Sequence, residues 1–139
     1  MKNKLRVVID TNVLLVAISS KSEYHWIFKN LLNGSYELYI SNEILMEYEE
    51  IISSKFNSEV AQDVLRALLM LPNVLQTAIY FKWNLISEDP DDNKFVDCAV
   101  SANVDYLVSN DNHFSILESI DFPKISIIKA KEFKDVLNL

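Results

Sequence analysis

The 139 residues suit one domain spanning 1–139, and 50% hydrophobic with 24% charged residues describes a chain that buries a core rather than a disordered one. One glycine and three prolines exclude glycine-rich phosphate loops, flexible linkers and low-complexity tails, while a lone cysteine, Cys98, excludes an intramolecular disulfide and fits a reducing cytoplasm. The formal charge of −7 argues against non-specific nucleic-acid binding through a basic surface and leaves two meanings, plain solubility or a carboxylate cluster offset by divalent metal.

Leu5–Ile9 is a short apolar, β-branched run of the kind that forms a buried parallel strand. Asp10, Thr11 and Asn12 then interrupt the apolar stretch RVVIDTNVLLV before the chain re-enters the core. That interruption also breaks the superficial likeness of MKNKLRVVID to a signal peptide, and no apolar run approaches the ~18 residues needed to cross a bilayer. The expectation is a soluble cytoplasmic protein with no membrane partner.

Glu23–Leu32 has helical spacing and stops at Asn33-Gly34. Glu37–Ile40 reads as a strand, after which Ser41 or Asn42 caps a helix running to about Ser54. Ser58–Leu71 is a further helix ended by Pro72, and Asn73–Thr77 a short strand. The segment Asp89-Pro90-Asp91-Asp92-Asn93 is dense in turn and capping residues and leads into a helix over 93–103. Asp105–Ser109 is a strand, Phe114–Glu118 a short helix, Ile125–Ile128 the last strand and Ala130–Leu137 a closing helix. Strands alternating with helices imply an α/β fold with a parallel sheet covered on both faces, in which ligands bind beyond the carboxyl ends of the strands.

That rule singles out acids at strand ends. Asp10 follows Leu5–Ile9 directly, and Asp111 follows Tyr106–Val108 with Ser109 and Asn110 between. Each alone is an ordinary turn or cap residue; together they suggest a shared site. Asp97 lies inside a helix among Phe95, Val96, Cys98, Ala99 and Val100, where an ionised carboxylate needs a cation, a donor or a metal. Its ordinary reading is one member of a polar strip with Asn93 and Ser101. Of Asp89, Asp91 and Asp92, at least two serve as caps and any of them could reach a metal. In helix 42–54, Glu47 and Glu49 border opposite edges of the apolar stripe, and helical geometry does not choose between them. Converging carboxylates repel unless protons or cations are present, and oxygen-rich acidic pockets suit Mg²⁺ or Mn²⁺.

Taken in order, VVIDTNVLL, ISNEILMEYEEII and DPDDNKFVDCAVSANVDYLVSND resemble the PIN-domain ribonucleases over residues 5–128, and within them the bacterial and archaeal toxin branch of toxin–antitoxin pairs. The resemblance implies a three-layer α/β/α, Rossmann-like fold around a parallel sheet and Mg²⁺- or Mn²⁺-dependent cleavage of RNA to a 5′-phosphate and a 3′-hydroxyl. It places the four catalytic and metal-binding acids on Asp10, Glu47, Asp97 and Asp111, with Asp92 as an additional metal-site acid. Thr11 and Asn12 would orient Asp10, and Ser109 matches the small hydroxyl residue before the last acid. Asn110 departs from the glycine frequent in relatives, but asparagine also tolerates a left-handed backbone. A homodimer and a cognate antitoxin protein are implied as partners.

Among the remaining residues, His25 reads as packing, His113 as a loop histidine, Lys94 as solvated and Cys98 as a small buried hydrophobe. Lys124, Lys129, Lys131 and Lys134 give the C-terminal part a modest basic bias. The alternative function is a catalytically inactive module binding RNA or a protein partner. An aspartyl phosphatase fits less well, because the position two residues after Asp10 holds Asn12.

Overall fold

The structure is a computed structural model, and residues 4–138 are described. Its centre is a five-stranded, fully parallel sheet: β1 (Arg6–Ile9), β2 (Glu37–Ile40), β3 (Val74–Gln76), β4 (Tyr106–Val108) and β5 (Ile127–Ile128), in the order β3-β2-β1-β4-β5. Val7, Val8, Ile9, Leu38, Ile40, Leu107 and Val108 are completely buried, so the central strands are apolar on both faces. The register pairs Ile9 with Val108, which puts the ends of β1 and β4 side by side.

Six α-helices are described: α1 (Thr11–Ile18), α2 (His25–Leu32), α3 (Asn42–Lys55), α4 (Ser58–Met70), α5 (Asn93–Ala102) and α6 (Ala130–Val136). The chain moves from β1 outward to β3, then crosses back through α5 to β4. With right-handed crossovers, that reversal places helices on both faces and makes a three-layer α/β/α fold. The helix starts follow local chemistry: the Ser41 hydroxyl accepts from Ile44 N–H, and the Asn57 side chain from Val60 N–H. α5 ends on Asn103 in the left-handed conformation, with φ 51°. α6 is pinned to α2 by Trp26 packing on Phe133, whose ring also meets Tyr36 edge-on.

Three elements depart from the sequence expectation. The stretch after Asp10 is the helix α1, not anticipated because TNVLLVAI has no polar stripe to reveal a helical period. The short helix at 114–118 is a longer 3₁₀ turn, Asn112–Ser119. Residues 77–89 form an irregular segment, which we term the strap, running from β3 to a 3₁₀ turn at Pro90–Asp92. No described helix is long and apolar enough to cross a membrane.

Candidate active site

The strand order reverses at β1, and in open α/β sheets the crevice beside that switch point is where ligands bind. Asp10 sits there, buried directly after β1 at the N-cap position of α1. Its amide donates to Val108 O at 3.0 Å, continuing the β1–β4 ladder, and its carbonyl accepts from Val13 and Leu14 at 3.1 Å. The backbone therefore fixes the carboxylate between sheet and helix. Ser109, directly after β4, donates from Oγ to Asp10 Oδ2 at 2.8 Å and accepts from the Asp111 amide at 3.0 Å. One hydroxyl links the two strand-end acids.

Burial pushes the Asp10 carboxyl up to about 6 against the lowering effect of the Ser109 hydrogen bond, and the neighbouring charges of Asp92 and Asp111 raise it further. Asp92 is likewise pushed up to about 6, first by burial, then by Asp89 and Asp111, with His113 opposing. Asp10, Asp92 and Asp111 thus form a mutually repelling group.

His113 lies against that group. Its Nδ1 is 3.2 Å from Asp92 Oδ2 and 3.3 Å from Asp111 Oδ1, its Nε2 is 3.4 Å from Glu88 Oε2, and its amide donates to Asp111 Oδ1 at 2.9 Å. The hydrogen bond to Asp92 and the surrounding carboxylates hold its pKa above the usual histidine value. Asp89, Asp92 and His113 each offer a ligand atom within 4.8 Å of one another. Sequence reasoning left Asp89 open between a cap and a metal-reaching acid, and treated His113 as a loop residue. Asp89 does cap, accepting from the Asp91 amide at 3.2 Å, but the 3₁₀ turn also turns it toward the cluster.

Glu47 stands on α3 beside α1 and α5. Its Oε2 accepts from the Thr11 hydroxyl and its Oε1 pairs with Lys94 Nζ at 2.6 Å, with both charged side chains mostly buried. This extends one expectation and corrects another. Thr11 meets the Asp10 carboxylate through its backbone amide, as expected of a supporting neighbour, while the first turn of α1 aims its hydroxyl at Glu47 on α3; and Lys94 is an ion-pair partner, not a solvated lysine. Asn12 is exposed on α1, and Glu49 is exposed on α3. α3 contributes one more brace: the buried Tyr48 hydroxyl donates to Ile9 O, just before Asp10.

Asp97 is not brought to the group. Its Oδ1 accepts from the Trp83 amide at 3.0 Å, and its charged neighbours are Glu43 and Lys82, whereas those of Asp10 are Asp92 and Asp111. Five positions along α5 separate Asp92 from Asp97, which turns them in different directions around the helix. The reason Asp97 is buried is the strap. Asn93 donates to Ile86 O and accepts from Ile86 N–H, both at 2.9 Å; Asp97 holds Trp83; and Ser101 donates to Ala78 O at 3.0 Å. The i, i+4, i+8 strip of α5 is a rail for backbone that has no sheet or helix of its own.

Asn110 does not adopt a left-handed backbone; its Oδ1 accepts from the Ala130 amide at 3.1 Å and so caps α6. Cys98 is fully buried in the core, and burial pushes its thiol up to about 12. A surface hollow of about 770 Å³ lies at the opposite edge of the sheet around Arg6, Asp105 and Tyr106, away from these acids.

A family model described as a PIN domain matches residues 6–113. The chain belongs to the PIN-domain family. No curated protein matches it. Solved structures of similar fold include a VapBC2 complex from Rickettsia felis bound to a DNA fragment from its promoter, 18% identical, covering 90% of this chain and 98% of that one with a TM-score of 0.62. The VapC20 toxin of Mycobacterium tuberculosis, described as cleaving the sarcin-ricin loop, is 12% identical over 78% of this chain and 92% of its own, with a TM-score of 0.58. DNA-bound VapBC from Salmonella typhimurium is 22% identical over 91% and 98%, with a TM-score of 0.56. The family and the three-layer fold expected from the sequence are therefore both met in this PIN domain.

Proposed function

We propose that residues 1–139 act as one PIN domain, a divalent-metal-dependent endoribonuclease that hydrolyses RNA phosphodiester bonds as the toxin of a toxin–antitoxin pair. The observation that carries this reading is the trio Asp10, Asp92 and Asp111 at the sheet switch point, where burial and mutual repulsion hold two carboxyls near 6. Such a group is stabilised by a bound cation. The donor set, carboxylate oxygens with one imidazole, fits Mg²⁺ or Mn²⁺. Asp10, Asp92 and Asp111 are the proposed ligands, with Glu47 beside them. When bound, the metal supplies a nucleophilic water at neutral pH and charge stabilisation on the phosphoryl oxygens.

The chain's own residues do the rest. Ser109 holds the Asp10 carboxylate and the Asp111 backbone in one arrangement, and His113 keeps Asp92 and Asp111 adjacent. Lys94, anchored on Glu47, gives the mouth an ammonium group able to meet a phosphate. Of the expected four acids, Asp10, Glu47 and Asp111 are retained in the proposal; Asp92 takes the place expected of Asp97. The VapBC likenesses support an antitoxin protein as partner, and a homodimer in the cytoplasm completes the proposal.

The test is cleavage of total and single-stranded RNA by purified chain freed of any partner, in Mg²⁺, Mn²⁺ or chelator. Metal-dependent cleavage yielding 5′-phosphate ends is expected, and no cleavage of any RNA class in either metal overturns the reading.

A further inference from the structure

Two acids of α3, one turn apart, each meet a lysine from a neighbouring element. Glu47 Oε1 is 2.6 Å from Lys94 Nζ on α5, and Glu43 Oε1 is 3.9 Å from Lys82 Nζ on the strap. The two pairs differ in depth. Lys82 and Glu43 are mostly exposed, so water screens their attraction, whereas Lys94 and Glu47 keep only 15% and 22% of their side-chain surface exposed. At that depth each charge needs the other, because either one alone is a mostly buried charge without a counter-ion.

Glu47 is partnered on both oxygens. The second accepts from the Thr11 hydroxyl, and the Thr11 amide lies against the Asp10 carboxylate. One threonine therefore stands between the two acids and gives each a different donor. The like charges that bear most on Asp10 are those of Asp92 and Asp111. Asp92 and Lys94 are two positions apart at the start of α5, a spacing that turns side chains to different sides of a helix. Asp92 accordingly reaches His113, and Lys94 reaches Glu47. The ammonium neutralises Glu47 and leaves Asp10, Asp92 and Asp111 with the His113 imidazole as their only cationic partner among the described residues.

The crowded trio is relieved by a divalent ion. Glu47 has no such deficit. An ion that took Glu47 as a ligand would displace a fixed ammonium and strand it without an ion-pair partner, a cost the trio does not carry. Two-ion phosphoryl-transfer sites place positive charge on both sides of the phosphate. Here the Lys94 ammonium supplies that charge on the Glu47 side. We propose that Lys94 is the resident counter-ion of Glu47, so that this PIN domain holds one divalent ion, on Asp10, Asp92 and Asp111, and Glu47 is not among its ligands. This single-ion site rests on the divalent-metal reading proposed above.

Isothermal titration of the metal-free, full-length chain with MnCl₂ is expected to give one Mn²⁺ per chain. Asp10→Asn should weaken that ion by at least about tenfold, whereas Glu47→Gln should leave its Kd within about fivefold. Lys94→Met, which frees the Glu47 carboxylate, should gain a second, weaker Mn²⁺, and the double variant Glu47→Gln/Lys94→Met should lose it again. Circular dichroism melting checks that each variant is folded, and if Lys94→Met is not, Glu47→Gln decides alone. Two Mn²⁺ per wild-type chain, a folded Glu47→Gln chain weakened beyond that limit, or a folded Lys94→Met chain with no second ion overturns the single-ion site. One Mn²⁺ bound by a chain that cleaves no RNA leaves the site standing and removes the ribonuclease. Two bound by a chain that cleaves removes the single-ion site alone, and no Mn²⁺ bound by the wild-type chain removes both.

Discussion

The two edges of the sheet treat charge in opposite ways. At the amino-terminal edge, Arg6 is thoroughly partnered: its guanidinium donates to Ala102 O, Asn103 O and the Tyr39 hydroxyl and lies 4.9 Å from the centre of the Tyr39 ring, while its amide donates to the Asp105 carboxylate. Those bonds close the C-terminus of α5 and join β1 to β4. At the carboxyl-terminal edge, Asp10, Asp92 and Asp111 are also hydrogen-bonded, but their nearest charges include one another. Charge at one edge holds the fold together, and at the other burial and like-charge neighbours raise the carboxyls against it. The larger hollow belongs to the first edge, so cavity size is a poor guide here to chemistry.

The contrast between the edges breaks most sharply under substitution of the crowded acids. Asp10→Asn and Asp92→Asn should each lower metal-dependent RNA cleavage by at least about 100-fold while leaving the metal-free fold intact or more stable. A cleavage assay paired with thermal melting checks both halves, and a less stable, fully active Asp10→Asn would reverse the assignment of the two edges.

The next effect is pH dependence. The folded Asp10 and Asp92 carboxyls stand near 6 against an ordinary 3.8, so the native chain holds their protons more tightly than the unfolded one. Stability from this source is complete below about pH 4, declines as pH rises toward 6, and stays reduced above it. For Asp10 the cost is about 3 kcal/mol, at some 1.36 kcal/mol per pKa unit. Melting followed from pH 4 to 8 should show this decline without metal, and Mn²⁺ should reverse it at pH 7.5 but not at pH 4.5, where protons compete for the ligands.

At the other edge, Arg6→Met should cost about 1–3 kcal/mol through the orphaned Ala102 and Asn103 carbonyls and leave the specific rate of cleavage unchanged. Denaturant melts and a turnover assay on the same preparation test it. The smallest change belongs to Asp97→Asn, which keeps an oxygen for the Trp83 amide and should shift stability by less than about 0.5 kcal/mol without loss of metal-induced stabilisation. If Asp97→Asn instead abolishes the Mn²⁺ shift in a melting scan, Asp97 rejoins the metal ligands.

Much of this was legible in the residues. The apolar runs of β1, β2 and β4 stood out, Ser41 was one of two candidate caps for α3, and the strand-end rule found Asp10 and Asp111. The polar strip Asn93–Asp97–Ser101 was visible too, but what it faced was not. The strap has neither period 2 nor period 3.6, so nothing in its sequence announces that it lies along α5. Burial of Asp97 therefore looked like a demand for metal when it was a demand for backbone. The family resemblance matched Thr11 to Asp10, which it meets through its backbone amide, but a helical turn sends its hydroxyl to Glu47, a second partner the sequence did not reveal. The link between Asp89, Asp92 and His113 depends on two separate 3₁₀ turns meeting in space, which no local pattern encodes.

The acid group is also part of the sheet's backbone. The Asp10 amide closes onto Val108 and the Ser109 amide onto Ile128, so both residues are the last rungs of the central ladder. A region made of such rungs opens only when the sheet itself opens. The acid pocket is consequently welded to the slowest-breathing part of the molecule. The strap is tied differently, by three α5 side chains and by Ile86 set in the core, outside the sheet's ladder.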